Sequence, residues 1–344
     1  MLWTDIIDPA TLTGYARASL ADYEASKGTL ARWLPYREVA DVVARFVAGS
    51  TGLIDVAKFR AYDAEPEIGT RKGGKRVTLE LPALGQNIPV SEYEQLRARG
   101  GNVSDAQALA TIQNTTDVVV RSVVDQLERM RGIVLATGKA TINQDNFKTE
   151  DDFGRDSSMS VSAGTLYSTT TADALADFET WTDAYEDLNG EKPGVALMST
   201  RVLRSIANLD QFSTQLLNGG SRPATINDVN AIVEAAGLPP IMTYNRRVSV
   251  DGVSTKVIAD DKILFLPAPV DPNDDMGTEL GATFIGRTLT STDSDWGLED
   301  AEQPGLVAGV YRNPKPPMGI EVISDAIGLP VLANANLAMV ADVL

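Results

Sequence analysis

Between residues 104 and 139 apolar side chains recur every three or four positions without a break. They are Leu109, Ile112, Val119, Val123, Leu127, Met130 and Val134, with Thr116 filling one step. That period predicts a single amphipathic helix over residues 104–139. Ser104 with Gln107 reads as a capping box after the breakers Gly100, Gly101 and Asn102, and Gly138 closes the far end. Asp117 with Arg121, and Asp125 with Arg129, place opposite charges one turn apart, the spacing of exposed helical ion pairs. At 1.5 Å per residue the helix is a rod roughly 50 Å long. One apolar stripe of that length needs a flat partner, so the pattern predicts an elongated subunit suited to assembly.

Elsewhere the patterns are shorter. Leu12, Tyr15, Ala16, Leu20 and Tyr23 mark a helix over residues 11–26, ended by Leu30, Trp33, Leu34 and Pro35. This arm is too small for a core of its own and must lie on something else, in the chain or on a neighbour. From Val56 to Val90 the period falls to two. Residues 58–62 alternate on one side of a Gly-rich connection from Gly69 to Lys75, and Val77, Leu79 and Leu81 on the other, which predicts a β-hairpin. Two isolated strands are marginal in water, so a protruding hairpin implies a partner surface.

After the long helix, KATINQDNFKTEDDFGR reads as a short strand and an acidic loop. A helix over residues 172–188 carries Leu175, Phe178, Tyr185 and Leu188 on one face, and Val195–Met198 is a buried strand feeding a helix over 200–209. Thr225 and Asp228 cap a helix that runs to Ala236, and Asp251-Gly252 turns a hairpin. KILFLPA and GATFIGRT add two strands, and the interleaving makes the region of about 166–305 an α+β unit. Beyond Pro314, Pro316 and Pro317, the ending MGIEVISDAIGLPVLANANLAMVADVL reads as two or three strands. Paired beneath the long helix they supply its flat partner and leave the α+β unit as an insertion.

Composition narrows the chemistry. With 344 residues and 43% apolar content the chain folds, in two or three domains. It has no run of eighteen apolar residues, and MLWTDIIDPA lacks the basic flank and apolar core of a signal, so neither membrane spanning nor secretion is expected. The absence of Cys and His removes the usual zinc sites, thiol nucleophiles, Ser-His pairs and disulfides. The net charge of −17, from 47 acidic and 30 basic residues, argues against tight nucleic-acid binding. It fits either a plain soluble surface or a container wall that must not adhere to an enclosed polyanion. Against that background TRKGGKR is the most basic stretch, and Arg71, Lys72, Lys75 and Arg76 become the candidate subunit-contact residues. A basic tip of this kind sets register on an acidic neighbour more than affinity.

Other motifs fail on inspection. Gly69, Gly74 and Lys75 match the first seven positions of a phosphate-binding G-x-x-x-x-G-K loop, but Arg76 stands where Ser or Thr must hold magnesium. Asp271, Asn273, Asp274 and Asp275 imitate a calcium loop that lacks its turn Gly (Met276) and closing Glu (Ala282). Glu150, Asp151 and Asp152, and Asp293, Asp295, Glu299, Asp300 and Glu302, are carboxylate clusters of the type a hydrolase uses, with nothing to fix their separation. No catalytic, cofactor or metal residue is therefore assigned. A carboxylate-based hydrolase or binding protein is the alternative reading. Trp33, Trp181 and Trp296 have no interleaved basic stripe and read as core or interface residues.

The order of arm, long hairpin, spine helix, inserted α+β unit and returning strands resembles the major capsid proteins of tailed bacteriophages, the Hong Kong 97-type fold. It is most similar to the lambda-like phage capsid protein E family. The resemblance rests on the spine helix running into TGKATINQDNFKTEDDFGR, on KPGVALMSTRVLRSIANL, and on PPMGIEVISDAIGLPVLANANLAMVADVL. It implies an N-terminal arm (1–50), an extended β-hairpin loop (51–95), a peripheral domain with the spine helix (96–165 and 306–344) and an axial domain (166–305). It further implies an icosahedral virion shell of hexamers and pentamers around double-stranded DNA, without sequence-specific binding, assembled in the bacterial host cytoplasm with a portal. About fifty residues before the hairpin are too few for a fused scaffold, so a separate scaffolding protein is implied, with decoration proteins holding the mature shell. Some relatives join subunits through a Lys–Asn isopeptide bond, for which Lys72 or Lys75 would meet Asn313, Asn334 or Asn336. A Lys at a solvated tip stays charged, which disfavours that chemistry.

Overall fold

A computed structural model describes residues 2, 4, 7–48, 75–98, 105–144, 147–217, 224–272, 278–299 and 303–344. Helix α1 (Pro9–Lys27) is capped by Asp8, whose carboxylate accepts from the Thr11 N–H at 3.3 Å. A 3-10 turn (Leu30–Arg32) leads to β1 (Tyr36–Glu38), β2 (Val43–Ala48), β3 (Lys75–Glu80) and β4 (Ala83–Val90). Next come α2 (Glu92–Ala98), α3 (Asp105–Thr137), β5 (Lys139–Gln144), β6 (Phe147–Asp152) and β7 (Ser160–Ser162). The middle of the chain holds α4 (Ala174–Asn189), β8 (Val195–Met198), α5 (Thr200–Ala207), α6 (Asp210–Leu217) and α7 (Ile226–Ala235). Then follow β9 (Ile241–Thr243), β10 (Arg247–Val250), β11 (Val253–Lys256), β12 (Lys262–Leu266) and β13 (Gly281–Gly286). The chain ends with α8 (Leu289–Thr292), β14 (Val307–Arg312), β15 (Ile320–Leu332) and β16 (Met339–Asp342). No described helix is long and apolar enough to cross a membrane.

The predicted long helix is one helix, 33 residues from Asp105 to Thr137, while its expected cap Ser104 lies outside the described residues. At its end Gly138 takes φ +71° and donates its N–H to the Val134 carbonyl at 2.8 Å, a left-handed stop that glycine adopts without strain. Arg155 donates to the carbonyls of Leu135 and Ala136, placing a cation on the negative end of the helix dipole. The expected stripe is buried from Ile112 onward: Ile112, Thr116, Val119, Val123, Leu127, Met130 and Val134 are at most 4% exposed, while Leu109 is half-buried. A second stripe, Val120, Val124, Glu128, Arg131 and Leu135, is buried beside it, so the helix is covered on more than one side. The expected pairs of Asp117 with Arg121 and Asp125 with Arg129 do not form. Asp117 accepts from Tyr15 and Ser19 of α1, and Asp125 from Tyr23 of α1 and from Arg246. Their partners come from elements laid across the helix, which offer desolvated bonds that a neighbour one turn away cannot match.

The flat partner is a five-stranded sheet centred on β15. Strand β13 pairs antiparallel with its second half (Gly281 opposite Leu332), β14 with its first half (Arg312 opposite Ile320), and β4 runs along the other edge. Strand β1 adds to β13 in parallel. Beneath α3 this sheet contributes Ala308, Val310, Ile320, Val322 and Ala326 to one apolar core, joined by Leu12 and Ala16 of α1. The arm thus lies on its own chain. Tyr15 with Asp117 and Tyr23 with Asp125 show α1 and α3 running parallel, and the Thr13 hydroxyl donates to the carbonyl of Ala308 in β14 and accepts its N–H.

The second sheet runs β7-β16-β12-β8-β9 and is coated by α4, whose Phe178 and Trp181 pack on Phe265. The C-terminal strands therefore divide: β15 returns beneath the helix, whereas β16 sits between β7 and β12 in this second sheet. Two further readings change. The acidic stretch after the helix is no loop but strand β6, paired with β5 in register Lys139 to Asp152. The hairpin strand that pairs with β3 is β2, Val43–Ala48, while residues 58–62 lie outside the described residues.

Where the second unit meets α3, Gly132 lets backbone approach backbone: a Cβ there would lie 2.4 Å from the Val257 carbonyl oxygen. Ala is the better helix former by up to about 1 kcal/mol, yet the overlap is larger than a side-chain shift can relieve. We expect Gly132→Ala to lower stability by about 1–3 kcal/mol in urea unfolding; an unchanged midpoint would show that the contact is not held in solution.

Candidate functional site at the long helix

The predicted contact residues divide at the limit of the described chain. Arg71 and Lys72 lie outside it, while Lys75 and Arg76 open β3 opposite Ala48 and Val47. The hairpin stem is rooted firmly: Ala44, Leu79 and Leu81 are buried in the core, and Phe46 stacks on Phe284 with centroids 6.1 Å apart. Gly69 and Gly74 of the near-phosphate loop also lie outside the described residues, but Lys75 begins a strand, not a helix.

Of the carboxylate clusters, Asp300 and Glu302 lie outside the described residues, and three other members have local roles. Glu150 and Asp152 flank the Lys139 ammonium at 3.2 and 3.1 Å on the exposed β5–β6 ladder. Asp293 caps the 3-10 turn Ser294–Trp296 through the Asp295 N–H. In the calcium-like stretch residues 273–277 are undescribed, and Ala282 at the closing position is buried in β13. Among the described residues no group of three His, Cys, Asp or Glu could hold a metal ion. An open groove of about 400 Å³ between α1 and α3 is lined by Tyr15, Ser19, Asp22, Tyr23, Asp117 and Arg121. Its polar, solvent-open walls are unlike the enclosed apolar pockets that take small ligands. Trp33, Trp181 and Trp296 are 2%, 5% and 3% exposed, so all three are core residues.

The densest chemistry is instead buried on α3. Glu128 and Arg131 are both fully enclosed, one turn apart. Glu128 Oε1 accepts from the Leu30 N–H at 2.7 Å and from the Tyr244 hydroxyl. Its Oε2 accepts from the Thr29 hydroxyl at 3.2 Å and from Arg131 Nη1 at 3.0 Å. Arg131 also reaches Glu24 at 3.2 Å and Thr283 of β13 at 2.9 Å, and lies 4.5 Å from the centre of the Tyr36 ring. Tyr36 in turn donates to Glu24 at 2.8 Å. Arg246 extends the network, bonding Asp125 and the Gly28 carbonyl at 2.9 Å each, with Glu128 at 3.8 Å.

Burial of these charges is costly unless each is paired and hydrogen-bonded, and here nearly every group is. Burial pulls the Arg131 guanidinium down, but Tyr36, Glu128 and Glu24 more than offset it and hold its pKa above the usual arginine range. Burial and then the Glu128 carboxylate push the Tyr244 hydroxyl well above the usual phenol range. The cluster stays charged, and only Arg131 Nη2 and Arg246 Nε are buried in it without a hydrogen-bond partner. It has no exposed nucleophile and no opening for a substrate, so it is a joint. The sequence carried one signal for it: Glu128 and Arg131 continue the 4-4-3-4 steps of Val120, Val124 and Leu135, polar residues placed in an apolar stripe.

The sequence matches the family "phage major capsid protein E" over residues 43–278. No curated protein matches it. Among solved structures, a protein assigned as the capsid protein of a prophage of E. coli CFT073 is 13% identical with a TM-score of 0.64. The match covers 96% of this chain and 99% of that one. A phage-related protein of Bordetella bronchiseptica RB50 is 14% identical with a TM-score of 0.58, covering 96% and 95%. At such identities the likeness is one of fold, and the shared fold is the Hong Kong 97-type.

Proposed function

The chain belongs to the phage major capsid protein E family and is a capsid-forming structural protein, a component of the virion; we propose that its copies close into an icosahedral shell. The family match over residues 43–278 carries this reading, and the elongated α3 laid on a sheet supports it. In the proposed shell the subunits form hexamers and pentamers around double-stranded DNA of a tailed phage, built with a separate scaffolding protein and a portal in the host cytoplasm. Decoration proteins are proposed to hold the mature shell in place of covalent crosslinks.

The proposed division is arm 1–50, hairpin 51–95, peripheral domain 96–165 with 306–344, and axial domain 166–305. Three strands cross it: β13 pairs in the sheet beneath α3, and β7 and β16 in the sheet of the axial part. The subunit is proposed to have no catalytic site. Of the carboxylates that motivated the hydrolase alternative, Glu150 and Asp152 are ladder partners and Asp293 is a turn cap, which does not favour it. Negative-stain microscopy of the concentrated protein tests the reading: closed shells or ring-shaped capsomers are expected. A small oligomer with hydrolytic activity would overturn it.

Arg71, Lys72, Lys75 and Arg76 are proposed to meet an acidic surface of an adjacent subunit, because they are concentrated basic charge in a chain of −17. Replacing all four with Ser is expected to slow assembly followed by light scattering and to flatten its salt dependence. Unchanged assembly kinetics at low salt would refute steering by this tip.

A further inference from the structure

Two apolar cores meet along α3. Its first part, through Leu127, packs with α1, β14 and β15, and its last part, from Met130, packs with the strands and helices of the second sheet. Glu128 lies between Leu127 and Met130, at the seam. Packed apolar surfaces hold their shape through many weak contacts, whereas this seam is held by a few directional bonds.

Those bonds have an unusual distribution. Each oxygen of Glu128 is shared between a donor from the arm and a donor from elsewhere. Oε1 takes the arm's Leu30 N–H together with the Tyr244 hydroxyl, and Oε2 takes the arm's Thr29 hydroxyl together with Arg131. Tyr244 belongs to the second unit, where its N–H is bonded to the Met198 carbonyl of β8 at 2.9 Å. The orientation of one carboxylate is therefore set jointly by the arm and by the second unit. A direct tie, Arg246 to the Gly28 carbonyl, reinforces the same junction.

We propose that Glu128 couples the N-terminal arm to the second unit, so that loosening either side of this joint loosens the other while α3 stays fixed. The physical reason is the sharing. When one donor is removed the carboxylate is free to turn, and the remaining bond to the same oxygen lengthens in a low-dielectric site where such bonds reinforce one another. A neighbouring molecule pressing on the arm is then felt at the seat of the second unit. This coupling stands whether or not the shell architecture proposed above is right.

Hydrogen exchange of the full-length, unassembled protein reads it, using two mild substitutions on opposite sides of the joint. Tyr244→Phe removes one hydroxyl from the second unit, and Thr29→Ala removes one from the arm. We expect Tyr244→Phe to speed exchange at the amides of residues 30–34 roughly fivefold, the worth of one bond. Thr29→Ala is expected to speed the amides of 241–246 by a similar factor. Exchange is referenced to the amides of β8 and of residues 112–124 in α3, so a general loss of stability divides out. Glu128→Gln should raise both segments together. If each substitution moves only its own segment relative to that reference, the coupling is refuted.

Discussion

Glu128→Ala is expected to cost the unassembled subunit about 3–5 kcal/mol, the largest effect of any single truncation of a polar group in the molecule. The change removes four hydrogen bonds at once. Worse, it leaves their donors behind: the Leu30 N–H, the Tyr244 hydroxyl and part of the Arg131 guanidinium would be buried without an acceptor. Arg131 would keep only Glu24 as its counter-charge. Glu128→Gln keeps the shape and should cost roughly half as much, since its amide oxygen still accepts but without charge. Glu128→Leu combined with Arg131→Met and Glu24→Gln should be less damaging than Glu128→Ala, because removing all three charges leaves none of them unpaired. Urea unfolding at subunit concentrations too low for assembly measures all three. If the triple variant proves the worst of them, the cost comes from lost packing and not from an orphaned charge.

That cluster also marks the limit of what the sequence made legible. The helix over 105–137 was readable because its apolar period persists from Leu109 to Val134, about seven turns, and local periodicity is what a sequence displays most directly. The Asp251-Gly252 turn was readable for a similar reason: Asp251 at φ 51° and Gly252 at φ 80° are the conformations that this residue pair favours in a tight hairpin. The capping box of Thr225 and Asp228 formed as spaced. What failed was non-local. Pairing of Val43–Ala48 with Lys75–Glu80 depends on register across a long connection, which alternation within residues 58–62 could not reveal. The exchange of β13 and β16 between the two sheets is likewise decided by partners more than forty residues away. Asp117 and Asp125 looked solvent-facing because helical spacing names neighbours on the same helix, and the partners they take are on α1 and at Arg246. The basic tip of the hairpin rests on charge alone and was never a matter of fold.

Above pH 10 the subunit is expected to lose stability steeply and to unfold before pH 12, because four tyrosine hydroxyls are held protonated inside it. Tyr36 donates to Glu24, Tyr167 to Asp177, Tyr185 to the Leu337 carbonyl, and Tyr244 to Glu128. Each therefore faces an acceptor, three of them carboxylates, and a phenolate at any of these positions would be buried against negative charge. Burial is the main cause in every case, and it raises all four well above the usual phenol value of 10.0. The sign follows from proton counting. Below pH 10 both folded and unfolded tyrosines are protonated, so the full stabilisation is present. Above it the unfolded chain releases protons that the folded chain retains, and stability falls by roughly 1.4 kcal/mol per pH unit for each group. Arg155 acts the other way, since burial pulls its guanidinium down to about 10, but it is one group against four. The balance is roughly 4 kcal/mol per pH unit, enough to exhaust the stability of an ordinary domain within two or three units. Phenolate absorbance followed alongside circular dichroism tests this. The buried four should ionise only in a single step coincident with unfolding. Tyr185→Phe should move that step to higher pH, since its ring stays packed while one ionisable group is gone. Ionisation of all tyrosines near pH 10 with the fold intact would show that these hydroxyls reach solvent.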